Sequence, residues 1–330
     1  MLRLGDVLDV QIKLQDVPAH DVRGVLLNPD GTPAAKVAIT LAEDLPPAEG
    51  TRTVSDGEGA FEFKGVADWE WYLWAAREML RAGTWISVAG QDIERVKLRL
   101  AAPFTVWGRV VTEAPDGTPA LQAPLVSVIP HAGSGRREWG RLLNFMLMTP
   151  PPGNSLASKA QQRMVRSFLL NEELAISAEP DAAGNFSLPD FDAGGYRIVA
   201  MAAPPPYYLD AIRLGEIDVA SGETEISSGE VPITVVYKAN GGMVSGTVEK
   251  CDSGTVLLVP VEPERRWFGF LHSARCDANG RYRIGAVRPG DYYAVPFAGG
   301  TAITLDESLF GPGNRVTVRA GDSMVVDLRL

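Results

Sequence analysis

Apolar and polar residues alternate along most of this chain in short runs, as in Phe61-Glu62-Phe63, Val96-Lys97-Leu98-Arg99-Leu100, Tyr282-Arg283-Ile284 and Val326-Asp327-Leu328-Arg329-Leu330. A period of two places the apolar side chains on one face of an extended strand, so each run predicts a strand with one buried face. Gly, Pro, Asp and Asn punctuate the runs about every 8 to 12 residues, the spacing expected of antiparallel sheets closed by tight turns. One stretch departs from this rhythm. Trp139, Leu142, Leu143 and Met146 recur at helical spacing, as do Leu156, Ala160, Met164 and Phe168, with Thr149-Pro150-Pro151-Pro152-Gly153 between them. The pattern predicts an all-β protein with a two-helix insertion near its middle.

The runs also repeat. Val22-Arg23-Gly24-Val25 followed by Pro29-Asp30-Gly31-Thr32-Pro33 matches Trp107-Gly108-Arg109-Val110 followed by Pro115-Asp116-Gly117-Thr118-Pro119, and Val244-Ser245-Gly246-Thr247-Val248 followed by Asp252-Ser253-Gly254 is a third copy. A second landmark aligns Asp56-Gly57-Glu58-Gly59-Ala60-Phe61 with Asp181-Ala182-Ala183-Gly184-Asn185-Phe186 and Asp277-Ala278-Asn279-Gly280-Arg281-Tyr282. A third aligns the strands beginning Trp71-Tyr72, Tyr196-Arg197 and Tyr292-Tyr293, and a fourth, opening at Gly90, Gly229 and Gly321, closes each unit. Self-similarity at this period predicts tandem copies of one sandwich, each closing one sheet on another. The boundaries read as 18–101, 102–238 with the helical insertion at 134–175, and 239–330.

The pattern Val-x-Gly-x-Val, Asp-Gly-x-Pro, Asp-x-x-Gly-x-Phe and Gly-x-Tyr resembles the carboxypeptidase regulatory-like domain, a transthyretin-like (prealbumin-like) sandwich, over nearly the whole chain. The resemblance implies three tandem Greek-key β-sandwiches of about seven strands each, of the kind strung together in bacterial secreted and surface proteins, without activity of their own.

Residues 1–17 read differently. Gly5-Asp6-Val7-Leu8-Asp9-Val10-Gln11-Ile12-Lys13-Leu14 follows the closing-strand pattern, with Leu8, Val10, Ile12 and Leu14 on one face. Three readings stand: the strand closes a preceding module, it completes a sheet in another copy by β-augmentation, or it pairs within the chain. Charge bears on the second. The net charge is −10, yet the segment from Arg136 to Leu170 holds Arg136, Arg137, Arg141, Lys159, Arg163 and Arg166 against Glu138 alone. Arg163 and Arg166 with Lys159 share a helical face that either steers self-association or is a solvated surface.

Composition then removes function classes. With 34 Gly and 24 Pro among 330 residues but 45% apolar residues, the chain is turn-rich and still able to bury cores. Its acidity argues against nucleic acid as a partner, and no apolar run is long enough for a membrane-spanning helix. The three histidines, His20, His131 and His272, fall at non-equivalent positions, and no metalloprotease, nucleophile-elbow, phosphate-loop or dinucleotide motif occurs. We therefore expect no enzyme activity, no metal and no cofactor. The Asp56, Asp181 and Asp277 loops read as turns rather than calcium sites.

Cys251 and Cys276 fall at one end of the third unit, either as a disulfide suited to an oxidising compartment or as two buried thiols. Tyr72, Trp74 and Trp85 form an aromatic face in the first unit, which suits packing against an adjoining module or stacking on a sugar. Tyr207 and Tyr208 follow three prolines in what reads as an exposed segment able to touch a neighbouring unit. The sequence thus predicts a non-enzymatic extracellular or cell-envelope array with protein partners, with a carbohydrate-binding array as the alternative.

Overall fold

The computed structural model describes residues 18–43, 49–121, 126–130, 176–200, 203, 205–220, 224–251, 254–266, 269–299 and 315–330. Strands dominate them, and the helical content is a single 3-10 turn at Pro263–Arg265. The all-β expectation therefore holds for the described residues. The predicted helical insertion at 134–175, with Arg163 and Arg166, lies outside them, as do Leu8, Val10, Ile12 and Leu14.

Six sheets form. In the first stretch β1 (Ala19–Leu27), β4 (Ala60–Ala67) and β7 (Ile93–Arg99) order as β4-β1-β7, while β2 (Ala38–Ala42), β3 (Thr51–Val54), β5 (Trp69–Arg77) and β6 (Leu80–Val88) order as β3-β2-β5-β6. Alternation explains how they pack. Val22, Leu26, Phe61, Phe63, Val96 and Leu98 leave the first sheet to meet Ile39, Leu41, Leu73, Ala75 and Val88 from the second in one core.

The middle stretch repeats this arrangement with additions. β8 (Phe104–Glu113), β11 (Asn185–Phe191), β13 (Tyr208–Leu214), β14 (Ile217–Asp218) and β16 (Ile233–Lys238) order as β11-β8-β16-β13-β14. Facing them, β9 (Val126–Pro130), β10 (Ile176–Ala178), β12 (Gly194–Ala200) and β15 (Thr224–Ile226) order as β10-β9-β12-β15. The described residues of this stretch thus form nine strands where seven are expected. The reason lies in β13, whose Tyr208, Leu209, Ala211 and Ile212 are buried and which pairs antiparallel with β16 instead of ending in a loop.

The last stretch places β20 (Arg281–Val287), β17 (Gly242–Glu249) and β23 (Ser323–Val325) in order, with β24 (Leu328–Arg329) also on β17. The facing sheet orders β19 (His272–Arg275), β18 (Thr255–Pro260), β21 (Gly290–Phe297) and β22 (Arg315–Val318) as β19-β18-β21-β22. Here β18 is buried at every position: Val256 and Leu258 enter the main core, while Leu257 and Val259 join Leu271, Val295 and Phe297 in a second cluster. A continuous apolar run has become a strand buried on both faces.

Two devices recur at the repeated landmarks. Asp56, Asp181 and Asp277 each accept two backbone N–H bonds through Oδ1, from residues two and four positions on, at 2.8–2.9 Å. These loops are turns built on a carboxylate, as expected. In each, a left-handed glycine follows, and at Gly280 (φ 72°) a Cβ would sit 2.5 Å from the Val248 carbonyl oxygen. The second device ties the strand-leading aromatic to the carbonyl four residues earlier: Trp71 Nε1 donates to Ala67 O at 3.0 Å, Tyr196 Oη to Asp192 O at 2.7 Å and Tyr292 Oη to Arg288 O at 2.8 Å. The opening strands also pair parallel with the closing ones, β1 with β7, β8 with β16, and β17 with β23 and β24.

Candidate functional site

The described residues that reach between the three stretches make two contacts, and these are the places where the molecule joins its parts. The first is built on the outer face of β5 and β6. Because Leu73 and Ala75 point inward, Tyr72 and Trp74 point outward, with Trp85 opposite Tyr72 across the ladder. The Tyr72 and Trp85 rings lie 5.1 Å apart, and the Tyr72 phenol rests over Gly83, where an added Cβ would stand 2.0 Å from its oxygen. Both indole N–H groups, on Trp74 and Trp85, are buried without a hydrogen-bond partner among the described residues.

Beside this face, Arg81 reaches into the middle stretch. Its Nη2 meets Asp190 Oδ1 at 2.8 Å and its Nε meets Asp192 Oδ1 at 2.8 Å, while its backbone exchanges two 2.9 Å hydrogen bonds with Ala101. One residue therefore clamps the connecting segment by its main chain and the next sheets by its side chain. Burial pushes Tyr72 up to about 12, with the nearby Asp192 adding to the effect. Burial likewise raises Asp192 above the ordinary carboxylate range, against the pull of Arg81. These directions describe a contact partly withdrawn from water, where an ion pair is screened less than at an open surface.

The second contact joins the middle and last stretches. Phe270 precedes β19 in sequence, yet it is 1% exposed and packs in the core formed by Val106, Phe186, Ile212, Tyr237 and their neighbours. Cations flank it. The Arg265 guanidinium lies 4.9 Å from the Phe270 ring centre and reaches Asp218 at 2.8 Å, and Arg288 lies 6.0 Å from the same ring and donates to the Asp210 carbonyl at 3.2 Å. Asp210 also meets Lys238 at 3.1 Å, which raises the lysine above its ordinary value. The connection itself is tied down by Ala239 N–H to Glu113 O at 3.0 Å and by Tyr208 Oη to Asn240 Oδ1 at 2.7 Å.

The residues singled out from sequence fall into three groups. Tyr72, Trp74 and Trp85 come together at the first contact. Tyr208 reaches the second, but Tyr207 and Tyr208 are buried rather than exposed, at 5% and 3%. The cause is that β13 begins at Tyr208 and joins a sheet, and Tyr207 donates to Pro119 O at 2.9 Å. Cys251 and Cys276 form a disulfide spanning 25 positions, in the core of the last stretch.

Sequence reasoning marks Phe270, within the aromatic run that ends Gly269-Phe270, as a patch able to touch a neighbouring unit, and Phe270 is indeed seated in the preceding core. It missed Arg81, Asp192, Arg265 and Arg288, because a lone charged residue beside a strand carries no periodic signal that would mark it as the partner of a distant segment. It also missed Trp107, which stands 60% exposed on β8. Among the described residues no group of three or more His, Cys, Asp or Glu is placed to hold a metal ion. No described helix is long and apolar enough to cross a membrane.

No protein-family model matches the chain. Zinc metalloprotease Rip1 of Mycobacterium bovis (strain BCG / Pasteur 1173P2) is 32% identical over 117 residues, which cover 32% of this chain and 29% of that protein. The same-named protein of Mycobacterium tuberculosis (strain ATCC 25618 / H37Rv) is 34% identical over 100 residues, 28% of this chain and 24% of its own. The chain thus spans less than a third of the length of these curated relatives. Among solved structures, a streptococcal ancillary pilin overlaps 94% of this chain and 99% of its own, at 12% identity and a TM-score of 0.26. The TIE protein of Bacillus anthracis overlaps 94% and 50%, at 10% identity and a TM-score of 0.22. Scores this low are insufficient for a common arrangement.

Proposed function

We propose that this chain is a non-enzymatic structural and adhesive array of three tandem Greek-key sandwiches, of the carboxypeptidase regulatory-like kind, at residues 18–101, 102–238 and 239–330. The observation that carries the reading is the way consecutive stretches lock together, through Arg81 onto Asp190 and Asp192 and through Phe270 into the preceding core. Such contacts limit bending between units, which an adhesive or load-bearing array requires and a string of independent binding modules does not. The repeated turns and aromatic anchors support the division into three like units.

The setting is extracellular or cell-envelope, a reading supported by the Cys251–Cys276 disulfide, since such bonds persist in oxidising compartments. The partner is protein, a second copy of the chain joined head to tail through the strand carrying Leu8, Val10, Ile12 and Leu14. A sugar platform on Tyr72, Trp74 and Trp85 is the weaker reading, because burial at the first contact already uses the Tyr72 ring. The test compares the full chain with a variant lacking residues 1–15 by light scattering and negative-stain electron microscopy. Oligomers or filaments formed only by the full chain are expected, and monomers in both samples would overturn head-to-tail assembly.

A further inference from the structure

The second contact contains a titratable group placed where its charge matters. His272 is partly buried at the start of β19, two residues beyond Phe270, with its ring edge-on to Tyr292 at 6.0 Å. Its Nε2 accepts the backbone N–H of Arg288 at 3.5 Å, so the neutral ring suits this place and a proton on Nε2 does not. The Arg288 side chain then runs to the Asp210 carbonyl and carboxylate, at 3.2 and 3.6 Å, and lies over Phe270. A single short segment thus carries both the apolar plug and the ring that senses charge.

We propose that Phe270 and His272 form an acid-released latch that holds the last stretch against the middle one. Protonation of His272 sets a second cation beside Arg288 and removes the acceptor from the Arg288 N–H, which loosens the segment that carries Phe270. The charged groups around the latch are Arg288 from the β20–β21 connection, Glu262 and Arg265 from the 3-10 turn, and Asp210, Asp218, Lys238 and Glu113 from the middle stretch. Tyr292 and Tyr208 complete the surroundings. Of these, Arg288 is the cation that acts on the ring, adding to the effect of burial, and His272 is lowered from 6.5 to about 4.

The sign follows from that direction. The docked state binds fewer protons than an opened one, so the contribution of His272 is complete above pH 6.5 and is lost as pH falls toward 4. Between pH 7.5 and 4.5 the opening equilibrium should rise roughly 70-fold through His272. Hydrogen exchange on the full chain reads this directly, after correction for the intrinsic pH dependence of exchange. Amides of residues 270–275 should lose roughly 70-fold of their protection over that range, while those of Val22 and Leu26 in the first core keep theirs.

Carboxylates that pair with the arginines also lose charge in acid, and His272→Gln separates the two effects because the amide still accepts the Arg288 N–H. His272→Gln should keep only the smaller acid loss that comes from the carboxylates, and an undiminished acid loss in that variant would overturn the latch. NMR titration of His272 in the unaltered chain provides a check that needs no variant. A midpoint near 4 is expected, and a midpoint near 6.5 would sink the proposal.

Discussion

At the residue scale, the conformation of a turn is set by backbone space that only one residue type can enter. Gly280 illustrates the limit, because its positive φ and the Val248 carbonyl 2.5 Å from a would-be Cβ act together. Gly117 has a similar φ of 81°, with nothing within 4 Å of its would-be Cβ. Alanine at Gly117 should therefore cost only the local strain, about 1 kcal/mol, while Gly280→Ala should cost ~2–4 kcal/mol by forcing β17 away from its turn. Urea denaturation of the two variants measures the difference, and equal losses would show that the contact with Val248 is immaterial. Both glycines were legible as turn residues from the sequence, since Asp-x-x-Gly and Asp-Gly-x-Pro are conformational signals. Their unequal crowding was not, because it depends on a strand more than 30 residues away for Gly280.

At the level of elements, the repeated strands were legible wherever one face meets water and the other a core, as in β4 and β20. The reading weakened where a strand is covered on both sides. Alternation vanishes in Thr255–Pro260 because both faces are apolar, and the prolines ahead of Tyr207 and Tyr208 suggest an exposed segment although both tyrosines are buried where β13 begins. The disulfide also belongs to this scale. Cys251 lies just past β17 and Cys276 just past β19, and the bond closes a loop around β18, spanning 25 positions. Replacing both cysteines by alanine should lower the stability of residues 239–330 by about 3 kcal/mol, chiefly by freeing the unfolded chain. Guanidinium unfolding of the oxidised chain and the double variant checks this, with the first core expected to melt at an unchanged denaturant concentration.

Across the whole molecule, the contacts that decide rigidity are single side chains reaching between sheets. Arg81 and Asp192 are each about one-third exposed at the side chain, which moderates their coupling relative to a fully buried pair. A double-mutant cycle of Arg81→Ala and Asp192→Ala should return a coupling of about 1 kcal/mol. Small-angle scattering of either variant should show a longer maximum dimension than the unaltered chain, as the first stretch swings free. A rigid, unchanged profile would shift the weight of the junction to the Tyr72 and Trp85 face.

What the sequence determined by itself was whatever depends on local order: the two-residue alternation, the Asp-led turns, the anchoring aromatics and their threefold recurrence. These are properties of a few adjacent residues and of backbone stereochemistry, so they can be read in one dimension. Only the tertiary structure decided which faces are covered, that Cys251 meets Cys276, and that Arg81 and Phe270 join segments far apart in the chain. The physical reason is that burial and pairing depend on distance in space, and a solitary arginine or histidine leaves no periodic trace of the partner it will meet.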